Sequence, residues 1–223
     1  MLYKYDPYKN IMRLLGKFKN NHIYGGLLIN SNIIYCLTGN FNNKVEQFNI
    51  KEKKVIENKE NMKVERSEAS YIILNKKYVF SFFGFNVNEN KYINSIEFTE
   101  LNSNMNWEFI NILNNINNCI LELKGHCIIN YNKNNHFLIL GGYNGEKNPN
   151  EYIIKCEINI NDNQICILNL EKKFETILNK KAFLFSYFYE NDNLSNEKYI
   201  FDRKNNIHYF NTTQIKRDIF YLE

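Results

Sequence analysis

Three apolar runs that each end at a glycine decide the fold of this chain: IIYCLTGN at 33–40, KYVFSFFGF at 77–85 and FLILGGYNG at 137–145. A continuously apolar run is typical of an inner strand that is covered on both faces. A glycine at its end allows a turn or a close backbone approach that a side chain would prevent. Because the same arrangement occurs at Gly39, Gly84 and Gly142, we predict an internal repeat.

The residues around these glycines recur as well. A basic or polar residue lies 18 positions before each glycine, at Asn21, Arg66 and Lys124. A glutamate in an apolar setting follows each glycine, at Glu46, Glu97 and Glu157. The glutamates are 51 and 60 residues apart, a period at the long end of those found in propeller blades and well above those of helical or leucine-rich repeats.

Each unit divides into four short segments rich in aromatic and β-branched residues, as strands favour. In the second unit these segments are SEASYIILN at 67–75, KYVFSFFGF, YINSIEFTE at 92–100 and NWEFINIL at 106–113. Such spacing predicts four-stranded antiparallel modules rather than alternating strands and helices. We predict units at about 21–60, 66–113 and 124–171, a partial unit at 1–20 and a degenerate one at 177–223.

These residues resemble the kelch repeat, in which an apolar strand ends in two glycines and is followed by an acidic–x–aromatic strand and a tryptophan. Gly141 and Gly142 keep both glycines, whereas Thr38 and Phe83 replace the first one in the other units. Trp107 occupies the tryptophan position of the second unit, two residues late. The resemblance implies an all-β fold, a single kelch-type β-propeller of four-stranded antiparallel blades, with about four to five blades. A WD-type propeller fits less well, because the chain has no Gly-His to Trp-Asp pairing.

The number of units leaves the closure of the ring open, because the family usually has five to seven blades. The first alternative is that strands near Tyr3–Tyr5 or Met12–Leu15 pair with strands of Ile207–Leu222. The second is an incomplete ring that another chain completes, and the third is a fragment of a longer product. Unpaired blade edges favour pairing with other chains.

Composition narrows the class of protein. The chain has 223 residues, of which 44% are hydrophobic, as in a globular domain, and its net charge of +4 includes no basic block of the kind that nucleic acids bind. No stretch approaches 18 uncharged apolar residues, so we expect no membrane span. Five cysteines without a CxxC pair are typical of free thiols in a reducing compartment, and we expect a cytoplasmic location.

Candidate catalytic residues are few. A glutamate that recurs in every unit is expected to have a structural role rather than that of a glycosidase carboxylate, and Trp107 is expected in the core. A copper site of the galactose-oxidase type, on a similar propeller, would need two histidines, such as His126 and His136, together with tyrosines. We expect no cofactor, no metal and no enzymatic activity.

Function in such a fold is expected on loops presented by rigid blades. We therefore predict a non-catalytic protein-binding scaffold or adaptor, and by resemblance its partners are a ubiquitin-ligase substrate, actin or another cytoskeletal component. The alternative is a structural subunit of a large cytoskeletal or ciliary assembly. The candidate partner-binding residues are Lys63, Arg66, Asn86, Asn88, Lys91, Asn144 and Lys147.

Overall fold

The computed structural model describes residues 1–6, 8–57, 60–101, 104–114, 122–130, 135–144, 150, 152–159, 164–172, 186–188, 197–201, 207–211 and 220–221. The fold is all-β, as predicted, because every regular element in these residues is a strand. The same residues include no helix of the length and apolar character that a membrane span requires.

The first part of the chain forms two separate sheets. Strands β1 (Leu2–Asp6) and β2 (Ile11–Gly16) make an antiparallel hairpin. The first unit is a four-stranded antiparallel sheet with its strands in sequence order. Its strands are β3 (Gly26–Asn30), β4 (Ile33–Gly39), β5 (Asn42–Asn49) and β6 (Lys54–Glu57).

The second and third units repeat this order. The second consists of β7 (Ser70–Leu74), β8 (Tyr78–Phe82), β11 (Ile96–Glu100) and β12 (Glu108–Asn114), with the short hairpin β9 (Phe85–Asn86) and β10 (Lys91–Tyr92) between β8 and β11. The third consists of β13 (Cys127–Asn130), β14 (His136–Leu140), β15 (Tyr152–Asn159) and β16 (Gln164–Lys172). Every segment predicted as a strand in the three units contains one.

The last strands form a further four-stranded sheet, in the order β17 (Ser186–Phe188), β18 (Glu197–Phe201), β19 (Ile207–Asn211) and β20 (Phe220–Tyr221). Among the described residues β1 pairs with β2, and the C-terminal strands pair with one another. The structure therefore does not show the pairing of the two termini that would close a ring.

One pairing departs from the expectation of separate four-stranded modules. The outer strands β12 and β16 run parallel and pair from Asn111↔Gln164 to Asn114↔Ile167, which joins the second and third units into one eight-stranded sheet. At the other side of these units, β7 and β13 lie next to each other. Side chains of both units form a shared apolar core that includes Phe80, Phe82 and Phe137.

The first strands of successive sheets are neighbours: β3 lies beside β7, β7 beside β13, and β13 beside β17. Between the first and second units lies a second core, in which Trp107 is 1% exposed. The prediction that Trp107 is a core residue is confirmed.

The two residues that follow the apolar run have positive φ in all three units. Both positions lie in the left-handed region, at Thr38 (φ 45°) and Gly39 (138°), Phe83 (50°) and Gly84 (107°), and Gly141 (61°) and Gly142 (85°). A Cβ on Gly142 would also lie 2.9 Å from the carbonyl oxygen of Lys124. Gly39, Gly84 and Gly142 lie at the same end of the strands in their units. We call this end of the sheets the glycine edge.

Candidate binding surface at the glycine edge

At the glycine edge, the segment that enters each unit is hydrogen-bonded to the turn that follows the glycine. Ser67 and Phe85 exchange two backbone hydrogen bonds (2.9 and 2.8 Å), and so do Lys124 and Tyr143 (3.0 and 2.9 Å). In the first unit the amide of Asn40, the residue after Gly39, donates to the carbonyl of Ile23 at 2.8 Å. Ile23, Ser67 and Lys124 therefore occupy equivalent positions.

A buried ion pair fixes the entering segment of the second unit. The guanidinium of Arg66 donates to Glu97 Oε1 at 2.6 Å, and both side chains are fully buried. The amides of Lys63 and Val64 donate to the same carboxylate at 2.7 and 3.1 Å. Further guanidinium hydrogen bonds go to the carbonyls of Phe83 and Ser95, both at 2.9 Å. A buried charge is tolerated only when it is paired and hydrogen-bonded. The contacts of this cluster attach the entering segment to the sheet.

The first unit uses a histidine for the same purpose. Glu46 accepts the amides of Lys19 (2.7 Å) and Asn20 (2.8 Å) and the Nε2 of His22 (2.8 Å). His22 Nδ1 lies 2.5 Å from the carbonyl oxygen of Thr38, so the ring connects Glu46 to the end of β4. Burial by itself would raise the pKa of Glu46, but these hydrogen bonds outweigh it and hold that pKa below its usual value.

The third unit replaces the charged pair by an apolar one. The residues three positions before Gly39, Gly84 and Gly142 are Cys36, Ser81 and Ile139. Strand register places Glu46, Glu97 and Ile154 opposite them, so these three residues are equivalent. The residue before Lys124, and so the counterpart of Arg66, is Leu123. Leu123 and Ile154 are each 1% exposed and belong to the same core. The two equivalent positions thus hold an ion pair in the second unit and an apolar pair in the third.

The predicted equivalence of Asn21 and Lys124 with Arg66, and of Glu157 with the other two glutamates, is therefore wrong. The glutamate prediction holds for Glu46 and Glu97, whereas the Glu157 side chain is 46% exposed. A fixed spacing from the glycine does not identify equivalent residues, because the turn lengths differ: His22 lies 17 positions before its glycine and Arg66 lies 18.

Backbone hydrogen bonds also join successive units at this edge. Tyr24, Glu68 and Gly125 are equivalent residues, and all have left-handed backbone (φ 58°, 52° and 64°). The amide of Glu68 donates to the carbonyl of Tyr24 at 2.9 Å, and the amide of Gly125 donates to that of Glu68 at 2.8 Å. In addition, Thr38 Oγ1 donates to the carbonyl of Arg66 at 2.7 Å. The edge is one continuous hydrogen-bonded frame across the three units.

An ammonium group is bound on this frame by aromatic rings and a carboxylate. Lys124 Nζ lies 3.4 Å from Glu68 Oε1, 4.7 Å from the ring centroid of Phe85 and 5.8 Å from that of Tyr92. The two rings meet edge to face at 5.3 Å. Burial, and then the charge of Glu68, raises the pKa of Tyr92. The arrangement is a cation–π contact reinforced by an ion pair.

The first unit presents large apolar side chains on the same frame. Ile23, Tyr24 and Phe41 are 53%, 58% and 63% exposed, and we call these residues the edge patch. Their counterparts are Ser67, Glu68 and Asn86 in the second unit, and Lys124, Gly125 and Asn144 in the third. Equivalent positions thus carry apolar, polar and charged groups on one scaffold, which makes the glycine edge a candidate binding surface. Sequence reasoning missed the edge patch, although apolar residues inside polar turns were a usable signal.

Most of the predicted loop residues that remain accessible lie near this edge. Lys63, Asn88 and Lys91 are exposed, and Asn144 is half-buried. The side-chain amide of Asn88 donates to Glu65 Oε2 at 2.6 Å, so this loop is tied to the segment that enters the unit. The structure does not bring these residues together as one site.

Two predicted binding residues are buried. Arg66 is 0% exposed, and its terminal guanidinium nitrogens donate to Glu97 and to backbone carbonyls. Asn86 is 7% exposed and accepts the amide of Glu89 in its own turn. Neither side chain is therefore available on the surface, because Arg66 is paired inside the frame and Asn86 is bound within its own turn. Lys147 lies outside the described residues.

The two histidines considered for a metal site have different surroundings. His126 is 2% exposed, and within the described part of the chain neither ring nitrogen has a hydrogen-bond partner. His136 lies 4.0 Å from Glu157 at the start of β14. The described ranges hold no group of three or more His, Cys, Asp or Glu side chains close enough to share a metal ion.

No protein-family model matches the chain. No curated protein matches it either.

Proposed function

We propose that the chain is a non-catalytic protein-binding scaffold of the kelch-propeller type, which binds its partner through the glycine edge. The single observation that carries the proposal is the edge patch, with Ile23, Tyr24 and Phe41 each more than half exposed on a hydrogen-bonded frame. Exposed apolar groups on a rigid support are typical of protein-binding surfaces, where aromatic anchors supply much of the affinity.

The propeller arrangement is part of this proposal. It is supported by the neighbouring first strands and by the left-handed pair that recurs at the end of each second strand. In such an arrangement, residues shared by the units maintain the fold, and residues that differ at equivalent exposed positions determine the partner. On this view Ile23, Tyr24 and Phe41 determine specificity, whereas Arg66 and Glu97 are structural.

A site-specific cross-link tests the proposal. In one protein a photoreactive phenylalanine analogue replaces Phe41. In the control protein it replaces Lys51, which lies in the exposed turn after β5, at the end of the sheet opposite the glycine edge. We expect Phe41 to cross-link a protein that the Lys51 position does not. The identified protein should then bind the purified chain at least tenfold more weakly after Phe41→Asp. Equal labelling from both positions, or binding insensitive to Phe41→Asp, contradicts the proposal.

A further alternative to the structural subunit, an enzyme with a copper site on a galactose-oxidase-like propeller, predicts a different result. One equivalent of copper in the purified chain, lost after His136→Ala, would support it. We expect no stoichiometric copper or zinc, because the described residues bring no three His, Cys, Asp or Glu side chains close enough together to share a metal ion.

A further inference from the structure

The N-terminal hairpin corresponds to the third and fourth strands of a unit. The segment that follows β2 supplies the Glu46 cluster from Lys19 to His22, just as the segment that follows β6 supplies the Glu97 cluster from Lys63 to Arg66. Strand β2 is therefore equivalent to β6, and β1 to β5.

The third strands of the complete units each have two strand neighbours. Strand β5 lies between β4 and β6, and β15 lies between β14 and β16. Among the described residues β1 pairs with β2 alone. No described strand therefore pairs with the other edge of β1, where a second strand would lie.

A strip of apolar surface lies open beside that edge. Register relative to Leu37 and Phe82 makes Leu27 equivalent to Tyr71 and Ile29 equivalent to Ile73. Tyr71 and Ile73 pack against the first unit. Leu27 and Ile29, however, are 55% and 61% exposed.

The hairpin β1–β2 covers only the part of the first sheet that β4 and β5 form. Leu2 and the nearby Phe18 pack on Ile34, Cys36 and Phe48 of the inner strands β4 and β5. The face of β3, with Leu27 and Ile29, stays outside this cluster. The uncovered strip and the open edge of β1 both lie where the first two strands of a preceding unit would be.

Charge indicates what kind of protein would fill this position. Residues 1–24 contain five of the 28 basic residues and one of the 24 acidic residues, so residues 25–223, with 23 of each, are formally neutral. Lys4 and Arg13 stand directly opposite each other on β1 and β2, and both are exposed. Like charges in such a pair are unfavourable unless an acidic group lies near them. A second copy of the chain would bring the same positive charge to this place.

We propose that this surface binds an acidic two-stranded β-hairpin of another protein. One strand of the hairpin adds to the open edge of β1, its apolar side chains cover Leu27 and Ile29, and its acidic side chains lie near Lys4 and Arg13. Main-chain pairing supplies affinity, and the alternate side chains supply specificity, as in other cases of strand addition. The site is distinct from the edge patch.

A designed probe tests this inference. The probe copies Ser70–Phe82, the hairpin that fills the equivalent place in the second unit, fused to a soluble carrier, with glutamate replacing Lys76 and Lys77. We expect saturable binding to the full chain, at least tenfold tighter than that of the same hairpin with its native lysines. Hydrogen exchange should slow in Leu2–Asp6 when the acidic probe is added, because those amides gain partners.

Matched variants separate the face of β3 from the rest of the sheet. Ile29→Asp should weaken binding of the acidic probe at least tenfold, whereas Ile56→Asp, at an exposed isoleucine of the same sheet, should not change it. Thermal unfolding checks that both variants fold. The inference is overturned if the probe fails to bind, if Ile29→Asp leaves binding unchanged, or if Leu2–Asp6 gains no protection. Two other occupants of the surface would also overturn it. Competition by oligothymidine would indicate a nucleic acid, and a dimer that Ile29→Asp dissociates would indicate a second copy of the chain.

Discussion

At the scale of single residues, the buried charges of the frame depend on each other. Arg66→Leu leaves the Glu97 carboxylate buried without its counter-ion, and we expect a loss of about 3 to 5 kcal/mol of unfolding free energy. Glu97→Ile alone leaves the guanidinium unpaired and should cost a similar amount. The double variant should lose less than the sum of the two, because neither charge remains, and the third unit already holds Leu123 and Ile154 at these positions.

Urea unfolding of the two single variants and the double variant measures this coupling. We expect a coupling energy of about 2 kcal/mol or more. Losses that add within about 0.5 kcal/mol would contradict the assignment of Leu123 and Ile154 as the apolar counterpart of the ion pair.

The second residue-scale prediction concerns pH. Burial, and then the charge of Arg66, lowers the pKa of His126 to about 3 from an ordinary value of 6.5. Below pH 6.5 the unfolded chain takes up a proton that the folded chain does not, so the free energy of unfolding should decline as the pH falls from 6.5 towards 3, and should not depend on this group above 6.5. Chemical unfolding between pH 7.5 and about 5 avoids the range in which carboxylates titrate. His126→Leu should flatten the profile, and equal slopes in the two proteins would refute the assignment.

Part of the frame could be predicted from the sequence. The recurrence of Glu46 and Glu97 in apolar strands indicated a structural role, which the hydrogen bonds of both carboxylates confirm. The histidine partner of Glu46 could not be found in this way, because turn length shifts it by one position. The apolar pair of the third unit has no distinctive residue type at all, and only strand register identifies it.

At the scale of elements, the parallel pairing of β12 and β16 can be tested separately from the rest of the second unit. Residues 111–114 of β12 pair with β16, whereas residues 108–110 pair with β11. Leu113→Pro removes an amide donor within the parallel ladder only. We expect faster hydrogen exchange at Gln164–Ile167, with Ile96–Phe98 unchanged.

The matched control for this prediction is Leu113→Ala, which keeps the amide and shortens a side chain that is 40% exposed. It should leave the exchange of both segments as it is in the unchanged protein. Unchanged protection of Gln164–Ile167 after Leu113→Pro would show that the two outer strands do not pair in solution.

The strands were the most predictable elements. Apolar runs bounded by Asn, Gly and Lys turns locate them because residue type, alternation and turn chemistry act over a few residues. The pairing of β12 with β16 is different in kind. It joins the edges of strands about 50 residues apart, and it depends on how two sheets pack rather than on any local pattern, so the sequence had no signal for it.

At the scale of the whole molecule, the N-terminal hairpin β1–β2 covers apolar residues of the first unit. Leu2 and Leu15 pack on Ile34 and Phe48, so removal of residues 1–16 would expose the core of the first unit. Burial of one leucine contributes about 1.5 to 3 kcal/mol, and the truncated chain should unfold its first unit before the others. Amides of β4 and β5 should exchange faster, while those of β14 stay protected. The truncated chain should also associate, because a larger apolar face is exposed.

A control variant distinguishes this packing from a general effect of the N-terminal segment. Tyr5 and Met12 stand opposite each other on the exposed face of the hairpin, where they are 54% and 65% exposed. Tyr5→Ser with Met12→Ser should therefore leave exchange in β4 and β5 unchanged, because the leucines that contact the first unit remain. Light scattering and hydrogen exchange on the three proteins measure both effects. If the truncated chain stays monomeric and keeps full protection in β4 and β5, the hairpin does not cover the first unit in solution, and the place assigned to the acidic partner hairpin would extend over the whole of that face.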